Sequence, residues 1–256
     1  MSSNYNRLPT FVIDYKYLIM SSVFQFKQFS VNQDRCAMKI GTDGVLLGAW
    51  TTVNHKPFSI LDIGTGTGVL SLMLAQRSFA ETIEAIEIDD DAFEQAAENF
   101  ENSPWGDRLF CYHAGFMEFV DEIDDSYDLI ISNPPFYSEN YKTDNLKRDL
   151  ARFTDALPFE HLLYGCSKLL ATNGKAAFII PFSEESNFIT LASKYNLFIN
   201  KLTRVKGTPS SEYKRSLLEF SFTKSPVETT ELIIEINRHQ YTEDYINLTK
   251  DFYLKM

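Results

Sequence analysis

Residues 58–63 (FSILDI) form a short apolar run. It breaks straight into Gly64-Thr-Gly66-Thr-Gly68, and residues 69–76 then follow a helical period. A strand that ends in three alternating glycines and restarts as a helix admits few folds. Glycine allows the backbone turns that other residues resist and lets a ligand approach the main chain closely. The helix that follows offers unpaired N–H groups at its start. The next apolar run, residues 82–88 (TIEAIEI), places Glu87 and Ile88 at its end. A carboxylate there can accept hydrogen bonds from the two hydroxyls of a ribose. Without it, the glycines would read as nothing more than a tight turn. A dinucleotide site carries G-x-G-x-x-G, whereas Val69 stands where its last glycine belongs. The tighter spacing suits a nucleoside that lacks a pyrophosphate. Asp62, just before the turn, is placed to meet a cationic amino group on such a ligand.

The remaining chain repeats the same alternation. Residues 109–112, 127–132 and 175–181 read as strands, and residues 90–101 and 157–170 as helices. Strand and helix in this order predict an α/β, Rossmann-like domain with a mainly parallel sheet and helices on both faces. After residue 197 the pattern changes. Residues 197–205, 216–222 and 232–236 are strand-like, with Gly207 and Pro209 between the first two. The expectation is an antiparallel hairpin at one edge of a seven-stranded sheet, closed by a helix over 242–254. No repeat or linker divides the chain. At 256 residues and 44% hydrophobic content it can bury one full core. Met20 opens a second plausible start, so residues 1–19 are taken as an extension and 20–256 as a single domain.

A second motif, Asn133-Pro134-Pro135-Phe136, follows the strand 127–132 directly. This is the carboxyl end of a parallel strand, where open α/β sheets place their chemistry. The prolines fix φ and donate no N–H. They hold the Asn133 side-chain oxygen and the Pro134 carbonyl as acceptors suited to the two hydrogens of a planar amine. Phe136 can stack on a base, a contact worth about 1–3 kcal/mol. An exocyclic base amine is a poor nucleophile, because its lone pair is delocalised into the ring. Two acceptors pulling on its hydrogens favour a pyramidal nitrogen, and positioning then does most of the work. Standing alone, the tetrapeptide would equally read as a turn that ends a strand.

Charge and cysteine usage set the limits. The formal net charge is −11, so the average field of the chain repels polyanions. Any nucleic acid must be held by a local basic patch and released by salt. Lys142, Lys147, Arg148 and Arg152 follow the Asn-Pro-Pro-Phe motif, and Arg204, Lys206, Lys214 and Arg215 flank the tail hairpin. Both groups are candidates for contacts with phosphate, and ordinary solvated loop charge is the plain alternative. The cysteines Cys36, Cys111 and Cys166 are isolated, and the four histidines show no metal-ligand spacing. No metal, no membrane span and no secretion signal are expected, which makes the cytoplasm the expected compartment.

The two motifs together resemble class I S-adenosylmethionine-dependent methyltransferases of the N6-adenine and N5-glutamine type. Residues 33–50 (QDRCAMKIGTDGVLLGAW) narrow the likeness. They are similar to the N-terminal signature of the valine-tRNA (adenine-N6)-methyltransferase family, whose members modify adenine 37 beside the anticodon. The resemblance runs on through residues 99–108 (NFENSPWGDR) and covers nearly the whole chain from Met20. It implies that S-adenosylmethionine is the cofactor and that the anticodon loop of a tRNA is the partner of a monomeric enzyme. It also implies that Lys39, Thr42 and Asp43 border the cofactor's methionine end. Relatives carry an acid after the third strand for the cofactor's adenine. Here Gly115 occupies that place, which leaves backbone N–H groups, the Phe116 side chain or another acceptor to meet the base. Gln33 stands where a histidine is expected. Guanine N2-methylation of ribosomal RNA, glutamine N5-methylation of a protein, and non-catalytic RNA binding are the competing readings.

Overall fold

The computed structural model describes residues 23–135 and 157–255. It opens with a small antiparallel hairpin, β1 (Val23–Gln25) and β2 (Ser30–Asn32), followed by helix α1 (Thr42–Trp50). Four βα steps come next: β3 (Ser59–Ile63) and α2 (Val69–Arg77), β4 (Thr82–Glu87) and α3 (Asp90–Glu101), β5 (Leu109–His113) and α4 (Phe116–Glu122), then β6 (Tyr127–Ser132) and α5 (Phe159–Leu169). They lead into β7 (Leu170–Pro181), α6 (Glu185–Lys194), β8 (Phe198–Lys206), β9 (Tyr213–Ser221) and β10 (Glu228–Ile233). A second small hairpin, β11 (Glu235–Asn237) with β12 (Gln240–Tyr241), precedes α7 (Glu243–Thr249).

The main sheet has the order β10-β8-β9-β7-β6-β3-β4-β5. Strands β5, β4, β3, β6 and β7 are parallel neighbours, and β9 runs antiparallel between β7 and β8. The expected antiparallel hairpin is therefore β8–β9. An eighth strand joins beyond it: β10 pairs parallel with β8 from Glu228↔Lys201 to Ile233↔Lys206. Its start precedes the expected 232–236, because exposed Glu and Thr residues carry the ladder and only Leu232 is buried. Backbone hydrogen bonds, not apolar content, define this edge.

Successive residues of the central strands face opposite cores, as the two-residue period of a strand requires. Ile60, Leu129, Ile131 and Ile179 pack with α1, α2 and the Phe26–Phe252 corner, whereas Leu61, Ile130, Phe178 and Ile180 pack with α4, α5 and α6. Helix α6 escaped the sequence reading because its apolar face is thin: only Phe188 and Ala192 among its hydrophobic residues are buried. The last helix is shorter than expected. After Thr249 the chain turns back to pair Tyr253 with Phe26, and Lys27 N–H donates to the Phe252 carbonyl at 2.8 Å. Among the described residues no helix is long and apolar enough to cross a membrane, and no group of His, Cys, Asp or Glu could hold a metal ion.

Candidate active site

The parallel strands β3, β4 and β6 lie side by side, so their carboxyl ends share one rim. Gly64, Gly66 and Gly68 have φ of 68°, 55° and 80°, the left-handed region that disfavours a side chain. Gly68 carries a second demand. A Cβ there would lie 2.6 Å from the Phe100 ring of α3, so the turn is pressed against that helix. Around Gly64 and Gly66 the space that a Cβ would enter is open, leaving the backbone accessible to a ligand.

Two carboxylates hold the turn. Glu87 Oε2 accepts Gly66 N–H at 2.8 Å, while its Oε1 accepts Ile88 N–H at 2.9 Å and Asp89 N–H at 3.1 Å. The Glu87 side chain is thus fixed at the end of β4 with lone pairs left for ligand hydroxyls. Asp62 is fully buried. Its Oδ2 accepts the Thr65 hydroxyl at 2.6 Å, the Ser71 hydroxyl at 2.8 Å and Ser71 N–H at 3.2 Å. Asp62 therefore ties the turn to α2, a structural role beside the ligand contact expected of it. Its Oδ1 is buried with no partner. Burial pushes the Asp62 carboxyl up to about 6, against the pull of the Thr65 and Ser71 hydrogen bonds. A buried, unmatched acceptor is costly, and a ligand ammonium would satisfy it. The turn, Glu87 and Asp62 together suit the ribose and amino-acid ends of S-adenosylmethionine.

Asn133 follows Ser132, whose hydroxyl donates to the Ile63 carbonyl at 2.8 Å. Asp62 and Ile131 are paired across the ladder. Asn133 therefore leaves the sheet one strand away from Gly64, about 5 Å in the sheet direction. It is half-buried, Pro134 is buried and Pro135 is exposed. Phe136, Lys142, Lys147, Arg148 and Arg152 lie outside the described residues. Burial drives the Cys36 and Cys111 thiols up to about 12. His55 sits at the opposite end of the sheet, against the carbonyl of Asp128 near the start of β6.

Other expected residues fall in different places. Lys39 and Thr42 are exposed at the entrance to α1. Asp43 is tied to β9 by Arg215, whose Nε donates to Oδ2 at 2.7 Å. Gly115 precedes α4, and a Cβ there would make only ordinary contacts, with Ile88 and Glu118. The Phe116 ring is 7% exposed and pressed onto Gly165 of α5. On the tail side, Arg204 grips Glu185 through two nitrogens, at 2.6–3.1 Å, and Lys206 pairs with Glu231 at 2.9 Å. Among the described residues, three of the four tail cations that the sequence suggests are paired off, because α6, β10 and α1 bring Glu185, Glu231 and Asp43 to them from distant segments.

Three buried amides were missed as a set. Asn99 donates to the carbonyls of Asn32 and Thr67, each at 2.9 Å, and accepts Asn32 N–H at 2.8 Å. Gln95 accepts Arg35 N–H at 3.0 Å, and Gln33 accepts Ile40 N–H at 2.8 Å. They hold the 30–41 segment against the glycine turn. Gln33 thereby gains a role: it closes the loop that carries Lys39. The clue in the sequence was two amides four residues apart on one face of α3.

Comparison with known proteins identifies the family. The family model described as Methyltransferase small domain matches residues 42–157. The tRNA1(Val) (adenine(37)-N6)-methyltransferase of Flavobacterium johnsoniae is 64% identical over 235 residues, covering 91% of this chain and 100% of that protein. The protein of that name from Bacteroides fragilis is 46% identical over 234 residues, covering 91% of this chain and 98% of the relative. Among solved structures, a predicted O-methyltransferase from Agrobacterium tumefaciens superposes with a TM-score of 0.64 at 18% identity, over 82% of this chain and 96% of that one. That likeness speaks for the fold alone. The glycine turn, its two carboxylates and Asn133 stand together on one rim, and the identity extends over nearly the full length of the relatives; the chain belongs to the tRNA1(Val) (adenine(37)-N6)-methyltransferase family.

Proposed function

We propose that this protein transfers a methyl group from S-adenosylmethionine to N6 of an adenine in tRNA, adenine 37 beside the anticodon of valine tRNA. The observation that carries the reading is the placement of Asn133. It is supported by the hydrogen bond of the preceding Ser132 to the Ile63 carbonyl and by the β3–β6 register, which bring the end of β6 to the same rim as the glycine turn. When bound, S-adenosylmethionine supplies a methyl group on a sulfonium, which an amine lone pair can take with a neutral thioether leaving.

The residues divide the remaining work. Glu87 orients the ribose, and Asp62 Oδ1 receives the ligand's ammonium. Asn133 and the Pro134 carbonyl accept the two amine hydrogens and turn the nitrogen lone pair toward the methyl. Positioning of this kind, with preorganised dipoles, is the main source of rate when no strong base is needed. The methylated nitrogen then gives up one proton to solvent. The domain acts as a monomer, with residues 1–19 outside the catalytic unit. Phosphate contacts at the tail rim require the cations there to leave their acidic partners or share them. The name carried by relatives over nearly their whole length favours tRNA over ribosomal RNA or a protein substrate.

The test is incubation with radiolabelled cofactor and total RNA from a strain lacking the gene. Digestion and nucleoside identification are expected to find the label as N6-methyladenosine in valine tRNA. Label in N2-methylguanosine of ribosomal RNA, or in protein, would overturn the proposal.

A further inference from the structure

The strands dictate where a nucleoside held by Glu87 must put its base. Its amino-acid end points toward Asp62 and the turn after β3, on one side of β4. The base must then lie on the other side, over the end of β5, where Glu87 is paired with His113. Three features meet there. Ile88 is 55% exposed, an apolar wall on which a base can lie. Gly115 leaves open the space that a side chain would fill: a Cβ at this position would come 3.7 Å from Ile88 Cδ1 and 3.9 Å from Glu118 Oε2. Glu118 stands three residues along in α4 and brings its carboxylate back over Gly115.

Neighbouring acids are engaged elsewhere. Glu87 holds the turn, Asp89 caps α3 through Ala92 N–H at 2.9 Å, and Asp90 meets His113 at 3.0 Å. Glu118 is exposed and has no hydrogen-bond or ion-pair partner among the described residues. A base that carries an exocyclic amine requires an acceptor at that edge, and a slot without one would not tell adenine from other purines.

We infer that Glu118 is the residue that recognises the exocyclic amine of the cofactor's adenine, reaching across Gly115 from the first turn of α4. The inference rests on the methyltransferase reading above and adds to it a specificity-determining residue. A carboxylate one helical turn away replaces an acid at the strand end, and the absent side chain at 115 clears its path.

The test is calorimetric titration with S-adenosylhomocysteine and with its purine-riboside counterpart, in which hydrogen replaces the amine. A charge-assisted hydrogen bond predicts that the wild-type protein prefers the adenosyl compound about 10- to 100-fold. In Glu118→Ala the preference is expected to fall to within about threefold, through weaker binding of the adenosyl compound alone. Melting temperature tracks folding, and the purine counterpart, bound equally by both proteins, confirms an intact pocket. An unchanged preference in the variant, equal weakening of both ligands, or no preference in the wild type would overturn the assignment. Failure of the wild type to bind either compound would instead overturn the cofactor reading itself.

Discussion

The two halves of the rim are built on opposite principles. On the glycine-turn side, between β3 and β5, polar groups are fixed by short-range contacts. Glu87 is locked by three N–H groups within 21 residues, and Asp62 by Thr65 and Ser71 within nine. On the tail side, between β7 and β10, the charges meet one another instead: Arg204 with Glu185, Lys206 with Glu231, and Arg215 with Asp43, 172 residues away. The first half is a set of polar groups held in place by their own neighbourhood, as the proposed cofactor role requires. The second is an assembly of ion pairs on a protein of net charge −11. The lesson is that basic residues at the correct edge do not by themselves make a phosphate site. The Lys206–Glu231 and Arg215–Asp43 pairs are partly exposed and worth little in stability, whereas Glu185 is buried, so taking Arg204 from it for a phosphate would leave a costly unpaired charge.

Four measurements sharpen or break this contrast. Asn133→Ala, at the junction of the halves, is expected to lower the methyl-transfer rate about 10²- to 10³-fold, by analogy with the loss of one preorganised polar group. Its affinity for S-adenosylhomocysteine should remain as in the wild type. Single-turnover rates and calorimetry read the two effects separately, and normal transfer would remove Asn133 from the mechanism.

Glu87→Ala should weaken binding of S-adenosylhomocysteine by about 1.5–3 kcal/mol, the worth of a hydrogen bond to a charged acceptor. Unchanged affinity in calorimetry would show that the β4 carboxylate serves the turn only.

The third concerns pH. Burial raises the Asp62 carboxyl from its ordinary range to about 6. In the free protein the group is thus neutral below about pH 6, and the stability it contributes is complete below its ordinary range and is lost as pH rises through about 6. A ligand ammonium calls for the charged form. Affinity for S-adenosylhomocysteine should therefore fall as pH drops below about 6, by up to about tenfold per pH unit. Titrations between pH 5 and 7.5 should show this slope in the wild type and lose it in Asp62→Asn. A flat wild-type profile would mean that the ammonium sits elsewhere.

The smallest effect is expected on the tail side. Lys214 is exposed, and Lys214→Ala should reduce the salt dependence of tRNA binding by about one unit of slope if it contacts a phosphate. An unchanged slope in filter binding across a salt series would take Lys214 out of the RNA surface.

The sequence could be read where a function depends on residues close together in the chain. The order of β3, α2 and β4 followed from period and glycine spacing, and so did the place of Glu87. Asn133 could be located because a parallel strand delivers its last residue to the rim whatever the rest of the sheet does. Elements whose stability comes from partners were not readable in the same way. Helix α6 has too narrow an apolar face to announce itself, and β10 is an exposed strand defined by its ladder with β8. That the Phe116 ring packs on α5 was not readable either, because it depends on how α4 docks there.

By itself, then, the chain determined the parallel α/β frame, the nucleoside-shaped turn and the acceptor motif one strand away. These are local patterns of backbone conformation and hydrogen-bonding capacity. Only the tertiary structure decided which charges are already paired, that Asn99, Gln95 and Gln33 pin the 30–41 segment, and that Glu118 hangs over Gly115. Those facts depend on contacts between segments far apart in sequence or on which way a helix faces. Spacing along a chain does not encode either one.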